Sequence, residues 1–197
     1  WWCPTCGKGV LNLDNAGLIK HESCESACLH DLEGFDPEWI RYRFSATLVC
    51  ANTRCQETVM VVGNGSVEEK HFYDEYGEHQ SEYPDVFAPQ FFEPPLLPID
   101  IPEGTPRNVK ASLTEAFKLI FANQGATANQ LRVAIELLLD SYPEVPKKYS
   151  NGKIMLLGHR LGVLPIALVD HFHHLSAIRF IGNAGSHEFD AIGVPDL

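Results

Sequence analysis

No stretch of this 197-residue chain approaches the roughly 18 consecutive apolar residues that a membrane-spanning helix needs. The longest candidate, Ile135 with Leu137, Leu138 and Leu139, is interrupted by Glu136 and stopped by Asp140. A soluble, cytoplasmic protein with no membrane partner is therefore expected. The chain opens on Trp1 rather than methionine, so its own start is expected further upstream. Positive charge is scarce in the first half, where residues 1–106 hold 6 Lys and Arg against 18 Asp and Glu. Such a surface repels phosphate backbones, which disfavours DNA as a partner of this half. Any nucleic-acid contact falls to residues 107–197, where 9 basic residues face 8 acidic ones. Internal repeats are absent, and only 6 cysteines occur.

Those few cysteines are placed informatively. Cys3-Pro-Thr-Cys6-Gly7 has the spacing of a zinc knuckle, two thiolates on a tight turn with Gly7 free to adopt positive φ. Cys50 and Cys55 supply a second pair after an inserted β segment longer than the usual ~15–20 residues. Together they predict one structural, closed, four-thiolate zinc per chain in a zinc-ribbon-like domain over residues 1–83. A small β domain buries little apolar surface, and a metal staple compensates. Cys24 and Cys28, flanked by His21 and His30, have looser spacing and read as surface residues, with a second metal as the other reading.

Strand-like runs cover Val10–Leu13, Ile40–Cys50 and Thr58–Val62, with Tyr42, Phe44, Ala46 and Leu48 alternating inward and Gly63-Asn64-Gly65 expected as a turn. Residues 66–86 show no regular pattern. Seven prolines between 84 and 106 predict an extended connector, with Phe87, Phe91, Phe92, Leu96 and Leu97 too apolar for a free tether. From 107 to 197 the period turns helical. Thr105 and Pro106 read as N-cap and N1 of a first helix reaching about Asn123. A second, central helix runs from Ala126 to Tyr142 with Arg132 and Glu136 one turn apart as a binding pair, and a third from Lys153 to Leu161. The fourth opens at Pro165 and turns Ile166, Val169, Phe172 and Ile178 inward.

That last helix carries the most site-like cluster. Arg179, Asn183 and His187 stand at successive steps of four, so guanidinium, amide and imidazole share one face. Gly182 and Gly185 each cost roughly 1 kcal/mol in a helix interior, a penalty that fits close approach of another backbone or a ligand. In one reading Asn183 and His187 satisfy the helix end while Arg179 pairs with a carboxylate such as Glu136. In the other, Arg179 grips a phosphate, Asn183 orients it and His187 moves a proton, as metal-independent RNA cleavage requires. One imidazole cannot serve both proton transfers, so a dimer presenting two copies is the simplest catalytic arrangement. His171, His173 and His174 form a weaker cluster on the same segment.

Trp2-Cys-Pro-Thr-Cys-Gly7, Phe44 to Cys55, the Pro94-Pro95-Leu96 and Ile101-Pro102 segments, Ala126 to Leu139 and Arg179 to His187 together resemble the prokaryotic family known as domain of unknown function 4145. The resemblance implies a zinc-ribbon-like part followed by a helical domain similar to the HEPN superfamily, many of whose members are ribonucleases or inactive relatives. It also implies a defence setting. Active members of that superfamily place an arginine immediately before the polar residue corresponding to Asn183; here Gly182 stands there and Arg179 lies one turn earlier. The expectation is thus an α+β protein with a four-helix HEPN-like bundle, dimerising through its helical domain. Its expected role is a non-catalytic interaction or sensing module for a protein, nucleotide or RNA. The alternative is an endoribonuclease using His187.

Overall fold

In the computed structural model, which describes residues 1–187, the chain forms two compact units, Trp1–Leu96 and Leu97–Leu197. The first is an antiparallel sheet and the second is helical, so the protein is mixed α and β.

The sheet is organised by β3 (Arg41–Cys50), which pairs on one side with β1 (Leu11–Leu13) and β2 (Ile19–Glu22) and on the other with β4 (Thr58–Val67). Strand β7 (Asp85–Glu93) closes the far edge against β4. Alternation on β3 buries Phe44, Ala46, Leu48 and Cys50, and the β4 register sets Ala46 opposite Val61 and Leu48 opposite Val59. Val59 and Val61 are sealed from solvent, and Phe92 and Leu96 complete this core. The four-residue helix α1 (Cys24–Ala27) is capped by the Ser23 hydroxyl and crosses to β3 through Ser26, whose hydroxyl accepts from the Arg41 N–H at 3.2 Å.

Three expectations are corrected here. Gly63-Asn64-Gly65 is not a turn but the middle of β4. Glycine is needed because β7 and an aromatic ring crowd in: a Cβ at Gly63 would stand 2.8 Å from Phe44 and 2.9 Å from Pro89. The stretch from Asp85 to Glu93, expected as connector, is an edge strand, with Pro89 tolerated at a register shift where its missing N–H breaks no ladder. Residues 66–86 do contain regular structure: β5 (Lys70–Tyr73) and β6 (His79–Glu82) form a hairpin. Its turn is fastened by Asp74, whose carboxylate accepts from the N–H groups of Tyr76 and Glu78, both at 2.9 Å.

In the second unit, α3 (Gln124–Asp140) packs against both α2 (Arg107–Leu119) and α5 (Phe172–His187). Asn123 caps α3 by accepting from the Ala126 N–H at 2.8 Å. Pro106, not Thr105, occupies the N-cap of α2, one residue later than expected. The third helix is shorter than expected: α4 spans only Leu157–Leu161, because Ile154 pairs in a bridge with Lys148 and holds the preceding residues extended. The chain enters α5 through a 3-10 segment, Ile166–His171. Three residues per turn there shift the apolar phase. Leu164, Leu168, Leu175 and Ile178 therefore pack inward, while Ile166, Val169 and Phe172 are exposed, contrary to the α-helical expectation.

Gly182 is where α5 meets α3. A Cβ there would stand 2.7 Å from the Ala128 carbonyl oxygen and 2.8 Å from the Arg132 Cβ. Gly182→Ala gains about 1 kcal/mol of helix propensity but forces two helices apart, a strain of about 1–3 kcal/mol. A net loss is expected, read as a lower urea midpoint for the helical signal in circular dichroism; an unchanged or higher midpoint would refute the close-approach argument.

Candidate functional site

Two side-chain constellations carry chemistry, one in each unit. In the first, Cys3, Cys6, Cys50 and Cys55 bring their sulfur atoms within 4.8 Å of one another. Cys3 leads into a tight turn closed by the Gly7 N–H donating to the Cys3 carbonyl at 2.9 Å, with Gly7 at φ 62°, as its sequence position predicts. Cys50 ends β3, and the Cys55 N–H donates to the Asn52 carbonyl at 2.8 Å. A Cβ at Gly9 would collide with the Cys50 sulfur, so glycine there lets the two loops converge.

The donor set fits a metal ion. A tetrahedral ion with metal–sulfur bonds of about 2.3 Å separates its sulfurs by about 3.8 Å; Cys3 and Cys55 stand 3.9 Å apart, Cys6 and Cys50 3.7 Å. A disulfide needs about 2.05 Å, so these are not oxidised pairs. The Cys6 sulfur accepts from the Gly9 N–H at 3.4 Å and from the Asn52 amide at 3.7 Å. Backbone N–H groups of Lys8 and Gly9 lower the Cys6 thiol to about 6, whereas burial pushes Cys50 up to about 12. A bound cation is what would let all four ionise together. Four thiolates fill a tetrahedron, which suits a structural role.

Cys24 and Cys28 are exposed and join no such group among the described residues. Of their neighbours, His30 is engaged by Glu22 at 2.8 Å. His171, His173 and His174 are likewise exposed.

The second constellation is a cleft of about 810 Å³ in the helical unit. Helix α3 contributes Arg132, Glu136 and Asp140 at steps of four; α5 contributes Arg179 and Asn183. Arg132 and Glu136 do form a pair, and the Arg132 guanidinium also donates to the Asn129 side chain at 3.1 Å. Glu136 is therefore not the partner of Arg179. Arg160, on α4, is only 6% exposed and donates to Asp140 at 2.8 Å; Lys147 reaches the other oxygen of the same carboxylate at 2.9 Å. Arg179 stands apart. Its guanidinium lies over Gly158, where a Cβ would collide with it, and its Nε is buried with no acceptor among the described residues. Asn183 is exposed beside it. The backbone of α5 continues to His187, whose side chain lies outside what is described.

Of the residues singled out from sequence, Arg132, Glu136, Arg179 and Asn183 thus share one cleft. Asp140, Lys148, His159 and Arg160 were missed. Asp140 was legible as the third member of the α3 stripe that begins at Arg132. The others come from the extended stretch and short helix that replaced the expected third helix.

Comparison with known proteins agrees with the two-unit division. Residues 1–92 match the family model described as Domain of unknown function (DUF8608), and residues 114–197 match the one described as Domain of unknown function (DUF4145). The second match supports a DUF4145-containing protein. No curated protein and no solved structure matches it. Among the described residues no helix is long and apolar enough to cross a membrane.

Proposed function

We propose that this chain is a zinc-stapled, non-catalytic interaction or sensing module whose working surface is the α3–α4–α5 cleft. The observation that carries this reading is Arg179: a guanidinium set into a cleft, with Asn183 beside it and no carboxylate of the described chain answering its charge. A charged group left without an internal partner is costly unless something outside the fold completes it. Zinc is the metal that four thiolates at these distances suit best, and its place is structural, one ion per chain. Kinship with the HEPN superfamily and a role in prokaryotic defence or regulation rest on the sequence resemblance. A homodimer through the helical unit is supported by Phe180 and Ile181, which α5 exposes at 70% and 52%.

Endoribonuclease activity is the competing reading, since Arg179 and Asn183 share a cleft on the helix that leads to His187. Against it, Arg179 lies a helical turn, roughly 5 Å, from the position the resemblance requires, and catalysis tolerates errors of only about 1 Å. The two separate in one assay. Purified protein incubated with mixed RNA in EDTA is expected to leave it intact; cleavage that disappears in His187→Ala would establish the nuclease instead.

A further inference from the structure

Outside both constellations, the first unit sets one more pair of thiols side by side. Cys24 and Cys28 stand one helical turn apart at the two ends of α1, where the Cys28 N–H donates to the Cys24 carbonyl at 3.2 Å. That spacing puts both side chains on one face, and both are exposed. The two sulfurs also interact. The charge of the Cys24 sulfur, and a hydrogen bond between the two side chains, hold the Cys28 thiol above its ordinary value, with partial desolvation and Asp31 adding to the shift. A thiol that keeps its proton is a poor first nucleophile, which leaves Cys28 to finish what Cys24 begins. Neither sulfur belongs to the four-cysteine cluster, so among the described residues neither is committed to a metal.

A bond between them is incompatible with an intact α1. Side chains one turn apart hold their Cβ atoms about 5–6 Å from each other, whereas a disulfide needs about 3.5–4.5 Å. The helix must give way, and a single turn, Cys24–Ala27, has little cooperative strength to resist. What it holds is larger than itself. The Ser26 hydroxyl, on a residue only 2% exposed, accepts from the Arg41 N–H at 3.2 Å and donates to Glu22 at 2.9 Å, so this one turn ties the start of β3 to the end of β2. We propose that Cys24 and Cys28 form a reversible oxidation site, closing to a disulfide under peroxide and thereby releasing the Ser26 tie to β3. The Cys24 thiolate attacks one peroxide oxygen, the O–O bond breaks, and the departing hydroxide takes a proton from solvent and leaves as water, giving a sulfenic acid on Cys24. Cys28 then displaces that hydroxyl: the S–S bond forms, the S–O bond breaks, and a second water carries off the Cys28 proton. Two thiols lose two electrons and one peroxide takes them. A dithiol reductant reverses the change by thiol–disulfide exchange.

Trypsin isolates the pair for measurement, because no lysine or arginine lies between Lys20 and Arg41, and Cys3, Cys6, Cys50 and Cys55 all fall in other fragments. The full chain is treated with stoichiometric hydrogen peroxide, alkylated, digested and weighed. Fragment 21–41 is expected to lose two hydrogens and to escape alkylation, and dithiothreitol to restore both thiols. By NMR, the Arg41 N–H of the oxidised chain should exchange with deuterium about tenfold or more faster than in the reduced chain. Cys28→Ser should stop the reaction at the sulfenic acid, captured on Cys24 by dimedone; both cysteines are exposed, so the serine variants should fold. Full alkylation of fragment 21–41 after peroxide, or a bridge from either cysteine to a different one, would overturn the site. A Cys24–Cys28 bridge that leaves Arg41 exchange unchanged would overturn the release of β3, and dimedone on Cys28 in Cys24→Ser, with none on Cys24 in Cys28→Ser, would overturn the order of attack.

Discussion

A Cys50→Ser chain is expected to lose both its metal and its N-terminal sheet, while the helices of the second unit keep their circular dichroism. Serine matches cysteine closely in volume, so the substitution opens little cavity at this buried position, and packing alone predicts a mild effect. The proposed metal decides otherwise. A structural zinc contributes on the order of 10 kcal/mol to folding, against a total stability of about 5–15 kcal/mol for a whole domain. Losing it removes most or all of what holds a small sheet together. Cys50 is also the hinge of the arrangement: it ends β3, pairs with Leu11 of β1, and its N–H donates to the Glu57 carbonyl at 2.9 Å where the second knuckle begins. The readout is selective, because all 3 tryptophans, Trp1, Trp2 and Trp39, lie in the first unit. Wild-type protein should carry one zinc per chain by elemental analysis, and Cys24→Ser should retain it. Stripping the metal with a strong chelator should reproduce the Cys50→Ser change in tryptophan emission. A metal-free chain with the emission and sheet signal of the wild type would end the case for a structural ion.

What the sequence disclosed about this fold follows from how local each determinant is. Alternation on β3 was readable because Phe44, Ala46 and Leu48 face one core with little interruption. The cysteine pairs were readable because each is a short turn with its own chemistry, and the fold had only to bring two turns together. The glycines of β4 were misread because their cause is remote: Phe44 and the β7 backbone, not the local turn preference of Gly-Asn-Gly, exclude a side chain there. The β5–β6 hairpin escaped because all eight of its strand residues are exposed, so no apolar period marks it. Asp74 four residues before Glu78, with Gly77 at φ 77° between them, was its one available signal. In the helical unit, a six-residue 3-10 segment was enough to rotate Ile166 and Val169 out and Leu168 in. The cleft was half legible. Helical spacing put Arg179 with Asn183 and Arg132 with Glu136, but only tertiary packing sets the two pairs and Arg160 around one space.

Replacing Asp140 by alanine is expected to destabilise the helical unit by about 3–5 kcal/mol, far more than a surface carboxylate warrants. The reason lies in Arg160. Its side chain is 7% exposed, its Nε already lacks an acceptor among the described residues, and beyond Asp140 only the Glu136 carbonyl, at 3.4 Å, takes one of its protons. Without Asp140 the guanidinium is a buried charge with one long hydrogen bond. Lys147→Ala, which removes the same carboxylate's other partner, should cost under about 1 kcal/mol, because that lysine is 61% exposed and water replaces what it loses. Acid should act as the substitution does. Burial by itself would raise the Asp140 carboxyl, but hydrogen bonds from Lys147 and Arg160, with their charges, outweigh it and hold the group below its usual range. A carboxyl lowered by folding stabilises the protein at pH values above its unfolded value of about 4, and that contribution disappears as pH falls through the lower folded value. Helical-unit stability should therefore drop below about pH 4 in the wild type, and Asp140→Asn should lack that part of the drop because its deficit is already present at neutral pH. Equal acid sensitivity in the two proteins would show that the pair is not a determinant of the fold. Pairing Asp140→Leu with Arg160→Met should recover most of the lost stability, since the penalty comes from stranding one charge rather than from losing both.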